Sequence, residues 1–161
     1  MTRALIPLLL VLTISVTPTK WLLAQSPAID LDKLLWAIGE AETGDYPEEV
    51  RECIWNDYGT ARGRYQVKIT TALDLRARGQ WVGNIDLCHP ATNAELARLH
   101  LLACYTVLKN ALGRVPRDTR KNRDRLAWCY FQGTLIPPRG GRYLRIVRAN
   151  YEGEHIELAR R

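Results

Sequence analysis

From Asp30 to Gly44, the apolar positions Leu31, Leu34, Leu35 and Ile38 recur at i, i+3, i+4 and i+7. This spacing places side chains on one face of a helix. Asp30 is the expected N-cap and Gly44 the stop. Asp45 to Arg64 loses the period and is rich in Gly, Asp and Tyr, which predicts a loop or a short hairpin around Asp57-Tyr58-Gly59-Thr60. Thr70 to Arg78 reads as a second helix behind a Thr cap, closed by Gly79, and Gln80 to Pro90 as a connector. Asn93 to Leu112 predicts a long helix with Leu96, Leu99, Ala103 and Val107 on its apolar face and Gly113 after it. Arg125 to Phe131 is helical, with Leu126, Cys129, Tyr130 and Gly133 at the same spacing. Pro137-Pro138 and Gly140-Gly141 mark a turn. A last helix from Arg142 to Tyr151 carries Leu144, Val147 and Tyr151. The fold class is mainly α, one domain over residues 30–151 with a small loop or β-hairpin region after the first helix. Residues 152–161 form a polar tail.

The first stripe ends on a carboxylate. At about 100° per residue, Glu42 returns to within roughly 20° of Leu31, whereas Glu40 falls on the opposite, water-facing side. A carboxylate on an apolar face is disfavoured in its charged form unless paired, so its pKa rises. A raised pKa is what a general acid needs near neutral pH. The competing reading is a helix end already turned into solvent.

Composition narrows the picture little. Among 161 residues, apolar types make up 47% and charged types 25%, as in ordinary globular domains. Lys and Arg exceed Asp and Glu by 23 to 17, so the chain carries +6 and suits an anionic partner such as a nucleic acid, a membrane surface or a wall polymer. Arg114 to Arg125 holds six cations and reads as a solvated loop and helix start. Residues 1–24 change the picture more. Arg3 precedes an apolar run from Ala4 to Val16, which has the length of an export signal and is short for a membrane span. Cleavage after Ala24 is one outcome. An uncleaved N-terminal anchor is the other, since Trp21-Leu22-Leu23 extends the run. Either way the domain is expected in the periplasm or outside the cell, which argues against nucleic acid. A membrane contact would come only through the N-terminal segment if it stays uncleaved.

Four cysteines, Cys53, Cys88, Cys104 and Cys129, favour two disulfides in an exported chain, with three connectivities open. They show no metal-ligand spacing with His89, His100 or His155, so neither a metal nor another cofactor is expected. Trp55 is the best stacking candidate for a sugar ring. Trp36, Trp81 and Trp128 read equally well as core.

Several blocks together resemble the soluble lytic transglycosylase domain, a lysozyme-like fold. Glu42-Thr43-Gly44 is similar to the family's Glu-Ser-Gly. Gly63-Arg64-Tyr65-Gln66 resembles its Gly-Leu-Met-Gln, in the Gly-Arg-Tyr-Gln form of phage and conjugation-plasmid branches. Val67 to Ala72 resembles the run ending in Pro-Ser-Thr-Ala, with Ile69 for Pro. Leu87 to Asn93 resembles Asp-Pro-x-x-Asn, with His89 for Asp. Tyr130-Phe131-Gln132-Gly133 stands where the family has Tyr-Asn-Ala-Gly, and Tyr143 to Tyr151 resembles its closing helix. The likeness covers Leu34 to Tyr151; Phe131 in place of Asn is its main departure.

The resemblance implies cleavage of the β-1,4 bond between N-acetylmuramic acid and N-acetylglucosamine, with a 1,6-anhydro product. Glu42 would be the single acid and base. Thr43, Gly63, Tyr65, Gln66 and Tyr130 would form the substrate site, with Gln66 meeting an acetamido group or hydroxyl and Gly63 letting backbone pass close to Glu42 or sugar. Tyr130 would bond the catalytic carboxylate or close the cleft wall. The partners would be peptidoglycan glycan strands and a secretion, conjugation or phage machine. Asp57 is the second carboxylate to watch, since a hydrolytic route needs a pair. The rivals are a lysozyme-type hydrolase on the same fold and a non-catalytic wall-binding module.

Overall fold

The computed structural model describes residues 28–55 and 59–153. The expected export segment, Asp57 and nearly all of the polar tail lie outside them. The chain is mainly helical. The elements are α1 (Leu31–Thr43), the single turn α2 (Glu48–Arg51), β1 (Ala61–Arg62), β2 (Val67–Lys68), α3 (Ile69–Ala77), α4 (Pro90–Leu112), α5 (Arg120–Gln132) and α6 (Arg142–Glu152).

α1 begins where Asp30 accepts a hydrogen bond from the Lys33 amide at 2.9 Å, the N-cap contact that satisfies one of a helix's unpaired donors. It buries Leu34, Leu35 and Ile38. β1 and β2 pair antiparallel, Ala61 with Lys68 and Arg62 with Val67. The turn between them is therefore Gly63 to Gln66, with the 57–60 segment outside it. That segment is instead flanked by a single antiparallel bridge between Trp55 and Arg62. Two residues fix the turn. Gly63 has φ +77°, and a Cβ there would lie 2.6 Å from the Leu87 carbonyl oxygen. Gln66 has φ 48°, uncommon for a side-chain-bearing residue, and its amide is bonded back into the turn.

α3 starts one residue earlier than its spacing predicts, behind Lys68, with no side-chain cap from Thr70. α4 starts three residues earlier, at Pro90, because the His89 side chain accepts from the Thr92 amide and proline suits the first helical turn. Its buried positions are Asn93, Leu96, Ala97, Leu101, Cys104 and Leu108. The expected face was rotated: Leu99 and Ala103 are half-buried, and Val107 is 53% exposed. α5 is capped by Thr119, which accepts from the Asn122 amide, so the helix takes in half of the basic stretch.

Leu34 and Ile38 of α1, Leu96, Leu101 and Leu108 of α4, Leu126 of α5 and Leu144 of α6 are fully buried and form the centre of the core. α1 and α6 run antiparallel along their length. Lys33 lies over the Tyr151 ring at one end, and Tyr143 lies against Glu42 at the other. The disulfides are Cys53–Cys88 and Cys104–Cys129. The second ties α4 to α5; the first ties the segment after α2 to the connector before α4. No helix among the described residues is long and apolar enough to cross a membrane. Trp36, a core candidate by sequence, is 47% exposed, because its position on α1 falls outside the Leu34–Ile38 stripe.

Candidate functional site

Glu42 stands in the last turn of α1, at the edge of a cleft of about 350 Å³. Gln66, Lys68, His100, Tyr130, Phe131 and Gln132 line the same cleft. Glu42 is the one carboxylate among the described residues that line it. Its pKa is pushed from 4.5 to about 7, first by burial, against the opposing influence of the Tyr143 hydroxyl and of the Lys68 charge. The negative end of the α1 dipole acts in the same direction as burial, and no basic residue lies in that last turn to offset it. Tyr143 is partly buried, and its hydroxyl, enclosed near Glu42, makes no completed hydrogen bond. Phe131, which lines the cleft, stacks on Tyr143 with ring centroids 4.5 Å apart, so an aromatic pair stands beside the acid. Burial and then the Glu42 charge push Tyr130 and Tyr143 well above the usual phenol range, so both stay neutral.

Tyr130 is buried beside this pair. Its hydroxyl donates to the Tyr65 carbonyl at 2.9 Å, and no bond to the Glu42 carboxylate is formed. It closes the cleft and ties α5 to the hairpin. His100 packs on the Tyr130 ring, and its Nε2 lies 3.2 Å from the Tyr130 carbonyl. A carbonyl only accepts, so Nε2 carries the proton and Nδ1 is the free acceptor. Burial lowers the His100 pKa, which keeps the ring neutral.

Gln66 contributes an acceptor. Its Nε2 donates to the carbonyls of Ile54 at 3.1 Å and Gly63 at 2.9 Å. Both partners are carbonyls, which fixes the amide orientation. Its Oε1 is buried, unpartnered, and belongs to a residue that lines the cleft. A buried acceptor without a donor is costly, and a ligand N–H or O–H would satisfy it.

The other matched residues do different work. Thr43 is buried, and its hydroxyl is shared between the carbonyls of Gly39 at 3.1 Å and Arg64 at 3.0 Å, so it fastens the end of α1 to the hairpin turn and does not reach the cleft. The close approach that Gly63 permits is to Asn93 and Leu87, and not to Glu42 or to the cleft. Asn93 is wholly buried: its Nδ2 donates to the Arg62 carbonyl at 2.9 Å and its Oδ1 accepts from the Tyr65 amide at 3.1 Å. Tyr65 is turned away from the cleft, its ring packed against Gly39. Trp55 is half exposed beside a neighbouring depression, with the Arg62 guanidinium 4.1 Å over one face of its ring.

Glu40, read as water-facing, is drawn into an ion-pair network. Arg64 holds it at 2.6 Å and Arg51 at 3.2 Å, and Glu48 bonds the same two arginines. The hairpin turn and α2 cover that face of α1, which periodicity within α1 alone does not reveal. The two acids near the end of α1 are thus separated by environment, one paired with arginine and one raised in pKa by burial.

Sequence reasoning passed over His100 and Tyr143 as site residues. His100 falls four residues after Leu96, a spacing that points to the buried side of α4. The role of Tyr143 depends on the pairing of α6 with α1, for which no local signal exists. Among the described residues, no group of three or more His, Cys, Asp or Glu side chains is placed to hold a metal ion. Comparison with family models, curated proteins and solved structures gives no match to this chain.

Proposed function

We propose that this chain is an exported peptidoglycan lytic transglycosylase on a lysozyme-like fold, with Glu42 as its single acid and base. The observation that carries the reading is geometric: Glu42 is the one acid among the described residues lining the cleft, where burial raises its pKa to about 7, so that both protonation states are accessible near neutral pH. Glu42 gives its proton to the oxygen that links N-acetylmuramic acid to N-acetylglucosamine. The C1–O bond breaks, and the positive charge developing at C1 faces the new carboxylate. That carboxylate takes the proton from the muramyl 6-hydroxyl as its oxygen bonds to C1. The 1,6-anhydro ring closes, Glu42 is protonated again, and no water enters the product. Acid and base work by one group in sequence requires a pKa near the working pH. The Gln66 Oε1 is left for an acetamido N–H, and the Phe131–Tyr143 pair stands beside the acid. The sequence blocks and the two disulfides suit this reading and an exported location.

The test is mass spectrometry of material released from purified peptidoglycan by the full chain and by Glu42→Gln. Products one water lighter than hydrolysis products, absent with Glu42→Gln, are expected. Reducing-end products would instead establish a hydrolase and turn attention to Asp57. No release by the folded unaltered chain would favour the wall-binding module.

A further inference from the structure

Contacts between neighbouring helices bring their ends together in two groups. Glu42, Tyr143, Tyr130 and His100 gather at one end. At the other end lie the start of α1, the end of α4, the start of α5 and the end of α6. α1 alone separates them by about 20 Å, from 13 residues at roughly 1.5 Å each.

That far end is strongly basic. Lys109, Arg114, Arg117, Arg120 and Lys121 are all exposed there, and none enters an ion pair among the described residues. The acids at this end are mostly engaged elsewhere, and exposed Glu152 bonds Arg123 at 2.9 Å. Asp118 bonds Arg123 at 2.7 Å, and Asp124 holds Arg148 through two bonds of 2.8 Å. Asp30 caps α1, and Asp32 stands at the rim with Arg98 at 3.8 Å. α5 has no acid in its first turn, so its positive helix end adds to the cations. Exposed Val115 sits among them. Ala28 pairs with Arg117 in an antiparallel bridge. The first described residue therefore lies in the middle of this basic end, and the sequence before it contains the apolar run Ala4 to Val16.

We propose that the basic end docks the domain on an anionic membrane surface, with headgroups bound by Arg114, Arg117, Arg120 and Lys121. The apolar segment and the cations then act on the same side, and the cleft faces away from the bilayer. One weak anchor plus a polybasic patch gives durable attachment where either alone is marginal. The inference rests on the N-terminal segment and the charge layout and not on the proposed reaction, so vesicle binding and wall cleavage fail separately.

The experiment is sedimentation of the full chain with vesicles of neutral phosphatidylcholine or of phosphatidylcholine mixed with anionic phosphatidylglycerol. Arg114→Ser with Arg117→Ser is compared with Arg139→Ser and Arg145→Ser, an equal loss of charge from two exposed positions flanking the start of α6, at the cleft end. Near an anionic surface each cation contributes roughly fivefold in binding, so the first pair should weaken attachment to anionic vesicles by about 25-fold. The second pair should change it far less, and neutral vesicles should register neither. Binding of the unaltered chain to anionic vesicles should fall as salt rises. Equal losses for both pairs, equal binding to neutral and anionic vesicles, or insensitivity to salt would overturn the proposal. So would patch-dependent retention on duplex DNA stronger than on the vesicles, which would assign the surface to nucleic acid.

Discussion

Replacing Glu42 by Gln tests the electrostatics of the site independently of any substrate. Glutamine keeps the shape of the protonated acid and removes the titration. In the unfolded chain Glu42 releases its proton near pH 4.5; in the folded chain it holds it to about pH 7. Below 4.5 both states are protonated and the group does not affect stability. Between the two values the unfolded state ionises while the folded state does not, so stability falls as pH rises. Above about 7 the loss is complete. A difference of about 2.5 pK units, at roughly 1.4 kcal/mol each, gives about 3 kcal/mol. Glu42→Gln should therefore match the unaltered protein at pH 4 and exceed it by about 3 kcal/mol at pH 8. Urea unfolding of both proteins, disulfides intact, across this range measures the difference. A difference that does not grow between pH 4 and pH 8 would refute the claim that burial keeps this carboxylate protonated, and with it the basis for Glu42 as the acid.

Tyr143→Phe removes a hydroxyl that favours the ionised form of Glu42, so the alkaline limb of the proposed wall-cleaving activity should move to higher pH; a shift to lower pH, read from a pH–rate profile, would contradict the geometry. Asn93→Leu removes the bonds to the Arg62 carbonyl and the Tyr65 amide and leaves both partly buried backbone groups without that partner. It should cost about 2–4 kcal/mol in denaturant unfolding and lower activity although Asn93 does not line the cleft. Reduction of the disulfides opens loops of 35 and 25 residues, for an expected loss of about 3–4 kcal/mol each. Thermal unfolding of Cys53→Ser with Cys88→Ser, and separately of Cys104→Ser with Cys129→Ser, checks this.

What the sequence made legible was set by the range of the forces involved. The α1 stripe and the position of Glu42 on it follow from a period contained in 13 residues. The same reasoning misassigned the α4 face. Leu99 and Val107 are apolar and in period, yet the inward stripe passes through Asn93, Ala97, Leu101, Cys104 and Leu108. Asn93 is buried because the hairpin supplies partners for its amide, and Cys104 turns inward to meet Cys129. The two-strand hairpin turns later, for a related reason, while the expected loop or hairpin around Asp57 to Thr60 is bracketed by the Trp55–Arg62 bridge and lies partly outside the described residues. Asp57 to Thr60 has turn-forming residue types, but the strands register across Gly63 to Gln66, held by the Gln66 amide and by Asn93 from α4. Glu40 shows the limit most clearly. One helix tells which way it points; only Arg51 and Arg64, 11 and 24 residues away, tell what it meets.

These long-range ties also explain how the site is tolerated. A carboxylate buried beside a helix's negative end, an unpartnered Gln66 oxygen and a residue at φ 48° all work against folding. Glu42 alone costs about 3 kcal/mol at neutral pH, a sizeable part of a domain's net stability. The stabilising contacts stand directly behind these features. Thr43 fastens the turn to α1, Asn93 fastens it to α4, and Tyr130 fastens it to α5. Cys53–Cys88 closes the loop that contains the hairpin, and Cys104–Cys129 joins the two helices that carry His100 and Tyr130. Each disulfide offsets about as much as the acid costs. The cleft can therefore keep a carboxylate of raised pKa and a free acceptor in place because the surrounding backbone is tied from three helices, leaving the strain nowhere to relax without breaking one of these hydrogen bonds.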